Sequence, residues 1–166
     1  MTNSAIDETR LTVAATLKEG WLTADLSGGS LDTLAAMATL ERHNATEVLL
    51  RESELSTYLA VVLEGRVALR LRVPERGPVT ILTVEPGDVL AWSALVPPYR
   101  ATSTAVALVE TTLVKFDAAR LREALARDTT LATELYPVML RAVARRLEGT
   151  RAQLLDLFSQ RWVEPW

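Results

Sequence analysis

The sequence predicts a mainly β domain with flanking helices (an α+β protein). The expected architecture is a double-stranded β-helix, or jelly-roll barrel, with short N-terminal helices and a long C-terminal helix. The middle of the chain consists of short runs rich in β-branched residues, separated by glycine, proline and acidic turn residues, which is typical of antiparallel sandwiches and barrels. After Asp117 the apolar residues recur instead at helical spacing. A length of 166 residues, 49% of them hydrophobic, is sufficient for one packed domain.

We expect four segments along the chain. Residues 1–29 form a polar extension that is partly helical or disordered, and residues 30–130 form the barrel with a flanking helix. Residues 131–160 form the long helix, for which we predict a dimerisation role, and residues 161–166 form a tail that contains two tryptophans. The tail has two open interpretations, which are packing on the same dimer and an exposed anchor for another protein.

The barrel region begins with a predicted helix. The segment SLDTLAAMATLERH opens with Ser30 as a candidate cap, and its apolar residues recur every three positions, as on one face of an amphipathic helix. These apolar residues are Leu31, Leu34, Met37 and Leu40. The predicted strands that follow are TEVLLRE, TYLAVVLE, RVALRLRV, VTILTV, DVLAW, STAVALV and TTLVKFD.

Two helices are predicted after the strands. DAARLREALARD is a short helix with Asp117 as its cap, and TTLATELYPVMLRAVARRLEGTRAQLLDLF is a longer one. Pro137 lies inside the longer pattern, so we expect either a kink at the proline or a true helix start near Tyr136.

Beyond the proline, the long helix carries an apolar stripe with heptad spacing, which indicates a dimer seam. The stripe consists of Leu140, Val143, Leu147, Thr150, Leu154 and Leu157. A second apolar face is available to pack on the chain's own barrel, and it consists of Leu135, Val138, Met139 and Ala142. The open alternative is that the stripe itself packs on the barrel.

Composition excludes several classes of function. The formal net charge of -3 provides no general attraction to DNA or to an anionic membrane surface. Cysteine is absent and His43 is the single histidine, so we expect no metal site, no cofactor and no enzymatic activity. The N-terminus has no apolar signal-peptide core, and no apolar run approaches the ~20 residues that span a bilayer. We therefore expect a cytoplasmic protein that does not bind a membrane.

The region from about Leu31 to Phe158 resembles the cyclic nucleotide-binding domain of Crp/Fnr-type regulators. TEVLLRESELSTYLAVVLEGRVAL is similar to the family's opening strands, with Gly65 at the characteristic turn, and VEPGDVLAWSALVPPYRATSTAVA looks like the phosphate-binding cassette. The two predicted C-terminal helices match the helices that follow this cassette. The segments AWS and RAQLLD resemble small stand-alone bacterial members that lack the helix-turn-helix output domain. The eight residues after Phe158 are too few for a DNA-binding unit, so we expect no DNA binding.

The resemblance assigns candidate ligand-binding residues in the cassette. In members that bind cyclic AMP, a Gly-Glu pair holds the ribose, and an Arg followed by a small residue holds the cyclic phosphate. Arg100 and Ala101 match the phosphate half, whereas Ala91 and Trp92 replace the Gly-Glu pair and remove the carboxylate. Arg100 could instead be structural and pair with a carboxylate such as Asp88 or Glu85. The full candidate set is Ala91, Trp92, Ser93, Arg100, Ala101 and Thr102.

The resemblance also assigns two residues of the long helix to the neighbourhood of the ligand. Arg146 matches a position that pairs with the ribose-binding Glu, and without that Glu it is left to meet a ligand anion or another acid. Thr150 matches a position where a hydroxyl meets the adenine amino group, and its alternative role is a small residue of the dimer seam.

Two functional hypotheses follow from these patterns. The first is a stand-alone sensory or regulatory module that dimerises, signals to an unknown protein partner and holds a cyclic nucleotide or another small anion at Arg100. The second is a ligand-free dimeric adaptor whose pocket is plugged by Trp92. In the first, the signal would travel by a shift of the long helix against the barrel, because that helix contacts the pocket and the partner subunit.

Overall fold

The computed structural model of the protein describes residues 25–159, without the side chains of residue 154 and residues 156–159. The predictions for residues 1–24 and for the tail with Trp162 and Trp166 lie outside the described residues. The same holds for the side chains of the predicted seam residues Leu154 and Leu157.

In the described part of the chain, eight strands and a short 3-10 helix lie between one N-terminal and two C-terminal α-helices. The helices are α1 (Gly28–Met37), α2 (Ala118–Arg127) and α3 (Thr129–Ser159), and the 3-10 helix is Trp92–Leu95. The strands are β1 (Ala38–His43), β2 (Val48–Leu50), β3 (Tyr58–Glu64), β4 (Val67–Val73), β5 (Gly77–Val84), β6 (Val89–Leu90), β7 (Thr104–Ala107) and β8 (Thr111–Asp117).

The strands form two four-stranded antiparallel sheets, with the orders β1-β8-β3-β6 and β2-β7-β4-β5. Strand β3 contributes side chains to two hydrophobic cores, because successive side chains of a strand point to opposite faces of the sheet. Ala60 and Val62 pack between the sheets, and Leu59 and Val61 pack against the three helices. This arrangement confirms the predicted fold class of a jelly-roll barrel with flanking helices.

The first helix is shorter than predicted and begins earlier. Its N-cap is Ser27, whose hydroxyl accepts a hydrogen bond from the Ser30 backbone N–H, and the helix ends at Met37. The continuation of the helix through ATLERH is wrong, because Ala38–His43 forms β1 and pairs with β8. Leu40 fitted the helical spacing, but its backbone lies opposite Val114 in the sheet. Long-range pairing therefore overrode a short local pattern.

The two C-terminal helices occur where the pattern placed them. Asp117 caps α2 as predicted, accepting a hydrogen bond from the Arg120 backbone N–H at 2.8 Å. Helix α3 continues through Pro137, so a true start near Tyr136 is wrong. It begins at Thr129 because Asp128 accepts a hydrogen bond from the Leu131 N–H at 3.0 Å and because the first turns are anchored by buried apolar side chains. These side chains are Leu131 and Leu135.

One face of α3 packs on the chain's own barrel, as predicted. Leu135, Val138 and Met139 are buried in the core beneath the helix, and Ala142 packs against the same core. This face accounts for the attachment of the helix to the domain, which leaves the heptad stripe on a different side.

Candidate functional site

The cassette region consists of β6, the 3-10 helix and the loop that leads to Arg100. Ala91 lies between β6 and the 3-10 helix in a left-handed conformation with a φ of 60°. Left-handed backbone favours glycine, and a non-glycine residue there costs about 1 kcal/mol or more. An alanine thus occupies, in a left-handed conformation, the position where the resemblance expects glycine.

A loop on the other side of the cassette, residues 51–56, is bound to it through the backbone, and we call this loop the strap. The Ser53 N–H donates to the Ala101 carbonyl at 2.8 Å, and the Ser56 N–H donates to the Tyr99 carbonyl at 2.7 Å. The Ser56 hydroxyl also lies 2.8 Å from the hydroxyl of Ser93, and both serines are buried. These contacts hold the end of the cassette against the strap.

The two donor groups that the resemblance assigns to a cyclic phosphate are both bonded to the strap. The guanidinium of Arg100 donates from Nη1 to the Ser53 carbonyl at 2.7 Å, and the Ala101 N–H donates to the Glu54 carbonyl at 2.8 Å. The Arg100 side chain is exposed. Among the described ion pairs, none joins Arg100 to the acids considered for it, Asp88 or Glu85.

A small cavity lies behind the cassette, and we call it the inner cavity. Its polar walls are Ser93, Thr102, Ser103 and Arg146, and Trp92 forms part of its apolar wall. Its volume is about 10 Å³, which is room for about one water molecule. Arg100 is not among the residues that line it. The structure thus brings together most of the predicted cassette residues and places the predicted phosphate-binding arginine elsewhere.

Trp92 lies between the inner cavity and the surface. Its half-buried indole packs, together with Leu95, against the core beneath the helices. On its other side it lines an open, mostly apolar groove of about 260 Å³ between the 3-10 helix and α3, which we call the helix groove. The groove is also lined by Val96, Tyr136, Met139, Leu140 and Val143.

Tyr99, the second aromatic residue of the cassette loop, contacts α2. The guanidinium of Arg122 lies 4.4 Å from the centroid of the Tyr99 ring, a cation–π distance. The same guanidinium donates from Nη1 to the Ala94 carbonyl at 2.6 Å. Arg122 therefore joins α2 to both ends of the cassette loop.

Arg146 comes from α3 and is bonded to the strand that leads into the cassette. Its Nη2 donates to the Val89 carbonyl at 2.6 Å. Burial lowers the pKa of Arg146, and the negative charge of Asp88 opposes this shift. The side chain remains charged because an arginine is effectively always protonated. Thr150, the other predicted residue of this helix, donates from its hydroxyl to the Arg146 carbonyl at 2.8 Å within the same helix.

The described part of the heptad stripe lies largely at the surface. Leu140 is 71% exposed and Leu147 is 53% exposed, and Tyr136 beside them is 54% exposed. Val143 and Thr150 are half-buried. The open alternative, that the stripe packs on the chain's own barrel, is therefore wrong for the two leucines, and the dimer seam stays a prediction.

The most important partners of the cassette could not be found from sequence patterns. Ser53, Glu54 and Val89 act through backbone carbonyls, and every residue carries the same carbonyl. Ser103 lines the inner cavity, but serine is too common in strands and turns to be recognised from the sequence.

Across residues 25–159, no group of three or more histidine, cysteine, aspartate or glutamate side chains is placed to hold a metal ion. No helix among these residues combines the length and apolarity that crossing a bilayer requires.

Similarity to known proteins agrees with this architecture. The chain is similar to a Geobacter metallireducens protein described as a cyclic nucleotide-binding protein, with 28% identity, a TM-score of 0.73 and coverage of 81% of this chain and 97% of the other. It is similar to the N-terminal domain of a Streptomyces coelicolor transcriptional regulator, with 29% identity, a TM-score of 0.64 and coverage of 84% and 94%. A cyclic nucleotide-binding domain from Methylobacillus flagellatus shares the fold, with 19% identity, a TM-score of 0.77 and coverage of 90% and 84%.

No curated protein sequence matches the chain. The family model described as the cyclic nucleotide-binding domain matches residues 40–128, which is more than half of the chain. This segment runs from β1 to the residue after α2 and includes the whole cassette. The chain belongs to the cyclic nucleotide-binding domain family.

Proposed function

We propose that this protein is a regulatory module of the cyclic nucleotide-binding domain family that is closed to cyclic mononucleotides and acts through the outer face of α3. The observation that carries the proposal is the volume of the inner cavity, about 10 Å³. Sites that hold small organic ligands measure about 300–1,000 Å³. A cyclic mononucleotide therefore does not fit in the inner cavity unless the walls of this cavity move apart.

The hydrogen bonds of the cassette support the same conclusion. Arg100 and the Ala101 N–H, the donors that a cyclic phosphate would need, are bonded to strap carbonyls. A ligand would have to replace the hydrogen bond of the Ala101 N–H and share Arg100 with the strap, and the net gain from exchanging one hydrogen bond for another is small. Trp92 also supplies no carboxylate for a ribose hydroxyl. Geometry and side-chain chemistry thus both oppose nucleotide binding.

The output of the module is a protein–protein contact. Leu140 and Leu147 present exposed apolar side chains on one side of α3, and their heptad spacing suits a second copy of the same helix. We propose a homodimer that signals to a further protein partner by a shift of α3 against the barrel. Helix α3 can carry such a shift because it contacts the cassette through Trp92 and the cavity through Arg146.

Calorimetric titration with cyclic AMP and cyclic GMP tests the proposal. We expect no saturable heat at millimolar ligand, and an unchanged melting temperature in the presence of either nucleotide. Saturable binding that disappears in Arg100→Ala would overturn the proposal and establish the alternative, a nucleotide sensor with an altered ribose site. Arg51→Ala is the control, because Arg51 is an exposed arginine of the same strap region.

A further inference from the structure

Arg146 lines two cavities. On one side its side chain lines the inner cavity, of about 10 Å³. On the other side it lines a groove of about 210 Å³ between α3 and the segment from the end of β5 to β6, which we call the side groove. The other walls of the side groove include Thr83, Asp88 and Arg145. Of the described residues, Arg146 is thus the one that lines both spaces, and β6 lies beside it, with Val89 on the side groove and Leu90 on the inner cavity.

A hydrogen bond joins the Arg146 side chain to the strand that leads into the cassette. Arg146 lies in the middle of α3, and its guanidinium reaches the Val89 carbonyl at 2.6 Å. Val89 pairs with Val61 in β3 on one side and is followed after Leu90 by the left-handed Ala91. The bond thus connects the long helix to the point where the cassette leaves the sheet. A charged donor bonded to a carbonyl makes a stronger hydrogen bond than a neutral donor does.

We propose that Arg146 is the latch that keeps the cassette closed, and that breaking its bond to Val89 joins the inner cavity to the side groove. This inference rests on the proposed function and goes beyond it, because it assigns the closure to Arg146 rather than to Trp92. Arg146 is a positioning residue that excludes ligands. The joined space is dominated by the side groove and is lined on the cavity side by the hydroxyls of Ser93, Thr102 and Ser103.

Thiol labelling provides a direct test because the chain contains no cysteine. Ser103→Cys introduces one thiol on the wall of the inner cavity, at a position that is 7% exposed. The rate of its reaction with a small alkylating reagent under native conditions measures how often the cavity opens. We expect Arg146→Ala to raise this rate by about tenfold or more, because a lost charged hydrogen bond shifts the opening equilibrium by at least that factor.

Two controls separate a local latch from a general loss of stability. Arg145→Ala removes the neighbouring arginine, which lines the side groove but not the inner cavity, and we expect it to leave the rate unchanged. Ala107→Cys places the thiol at a position that is 1% exposed and lines neither cavity, and Arg146→Ala should not accelerate its labelling.

Three results would overturn the inference: an unchanged rate at position 103 in Arg146→Ala, an equal acceleration at position 107, or an equal acceleration by Arg145→Ala. None of these results depends on nucleotide binding. Failure of the latch and failure of the proposed function are therefore distinguishable, since the second is decided by calorimetry on the wild-type protein.

Discussion

The cassette and the outer face of α3 differ in whether their groups already have partners within the chain. Donors of the cassette are hydrogen-bonded, whereas apolar side chains of the helix face are exposed. In the cassette, Arg100 and the Ala101 N–H are bonded to the strap, and the remaining space is about the size of a water molecule. On α3, Leu140 and Leu147 lie exposed beside the open helix groove. A surface that has already made its contacts has little to offer a ligand, whereas an exposed apolar stripe gains free energy by being covered. This difference supports the proposal that the protein acts through the outer face of α3.

The largest effect on stability is expected inside the cassette. Leu90 is 1% exposed and lines the inner cavity, so Leu90→Ala should lower the free energy of unfolding by about 2–5 kcal/mol. The matched variant Leu155→Ala changes a leucine of α3 that is 70% exposed, and it should change stability by no more than about 0.5 kcal/mol. Urea unfolding followed by circular dichroism measures both. If Leu90→Ala lowers the free energy of unfolding by less than about 1 kcal/mol, the change is below the range for buried leucines. The interior of the cassette would then collapse easily and would not be firmly closed.

A substitution on the exposed face of α3 should change the affinity of the dimer rather than the stability of the fold. Leu140→Glu places a charge in the predicted seam, and it should weaken the dimer at least about tenfold in Kd, because a charge buried in an apolar contact costs more than 1.4 kcal/mol. Sedimentation equilibrium at micromolar protein measures the change. Ala152→Glu adds the same charge at an exposed position of α3 outside the heptad stripe and should leave the dimer intact. A wild-type protein that is monomeric at this concentration would contradict the predicted dimer seam.

A smaller effect is expected at Arg100. Its hydrogen bond to the Ser53 carbonyl joins an exposed side chain to a loop, so Arg100→Ala should cost about 1 kcal/mol or less in the free energy of unfolding. Faster amide hydrogen exchange at the Ser53 and Ala101 N–H groups, which pair the strap with the cassette, should accompany it. Unchanged exchange would show that the guanidinium contributes nothing to this closure.

The smallest effect is expected where α1 meets α3. Hydrogen bonds from the Ser30 hydroxyl and from the backbone and hydroxyl of Ser27 lower the pKa of Glu134 below 4.5. A carboxyl with a lowered folded-state pKa stabilises the protein above its unfolded pKa, and this contribution is lost as the pH falls through the folded value. Glu134→Gln should therefore lower the melting temperature slightly at pH 7, with a difference from wild type that shrinks toward pH 3. A difference that persists at pH 3 would contradict the ionic origin.

The sequence predicted elements better than it predicted contacts. The cap at Asp117 and the buried face of α3 were expected from local patterns and are present, because both depend on residues close together in the chain. The error at β1 has the opposite origin. The pattern around Leu40 was compatible with a helix, and a register with β8, more than seventy positions later, decided the strand. The same holds for the candidate site. The sequence located the cassette segment, but it did not predict the backbone carbonyls to which this segment is hydrogen-bonded.

The sequence by itself determined that residues 84–107 resemble a phosphate-binding cassette, that Trp92 carries no carboxylate, and that α3 carries two apolar faces. These are properties of side-chain type and spacing, and folding does not change them. Tertiary structure alone decided that Arg100 bonds to the strap, that Arg146 reaches Val89 and that the inner cavity has a volume of about 10 Å³. The physical reason is that these contacts use backbone carbonyls and shared walls, which exist only once distant segments are brought together.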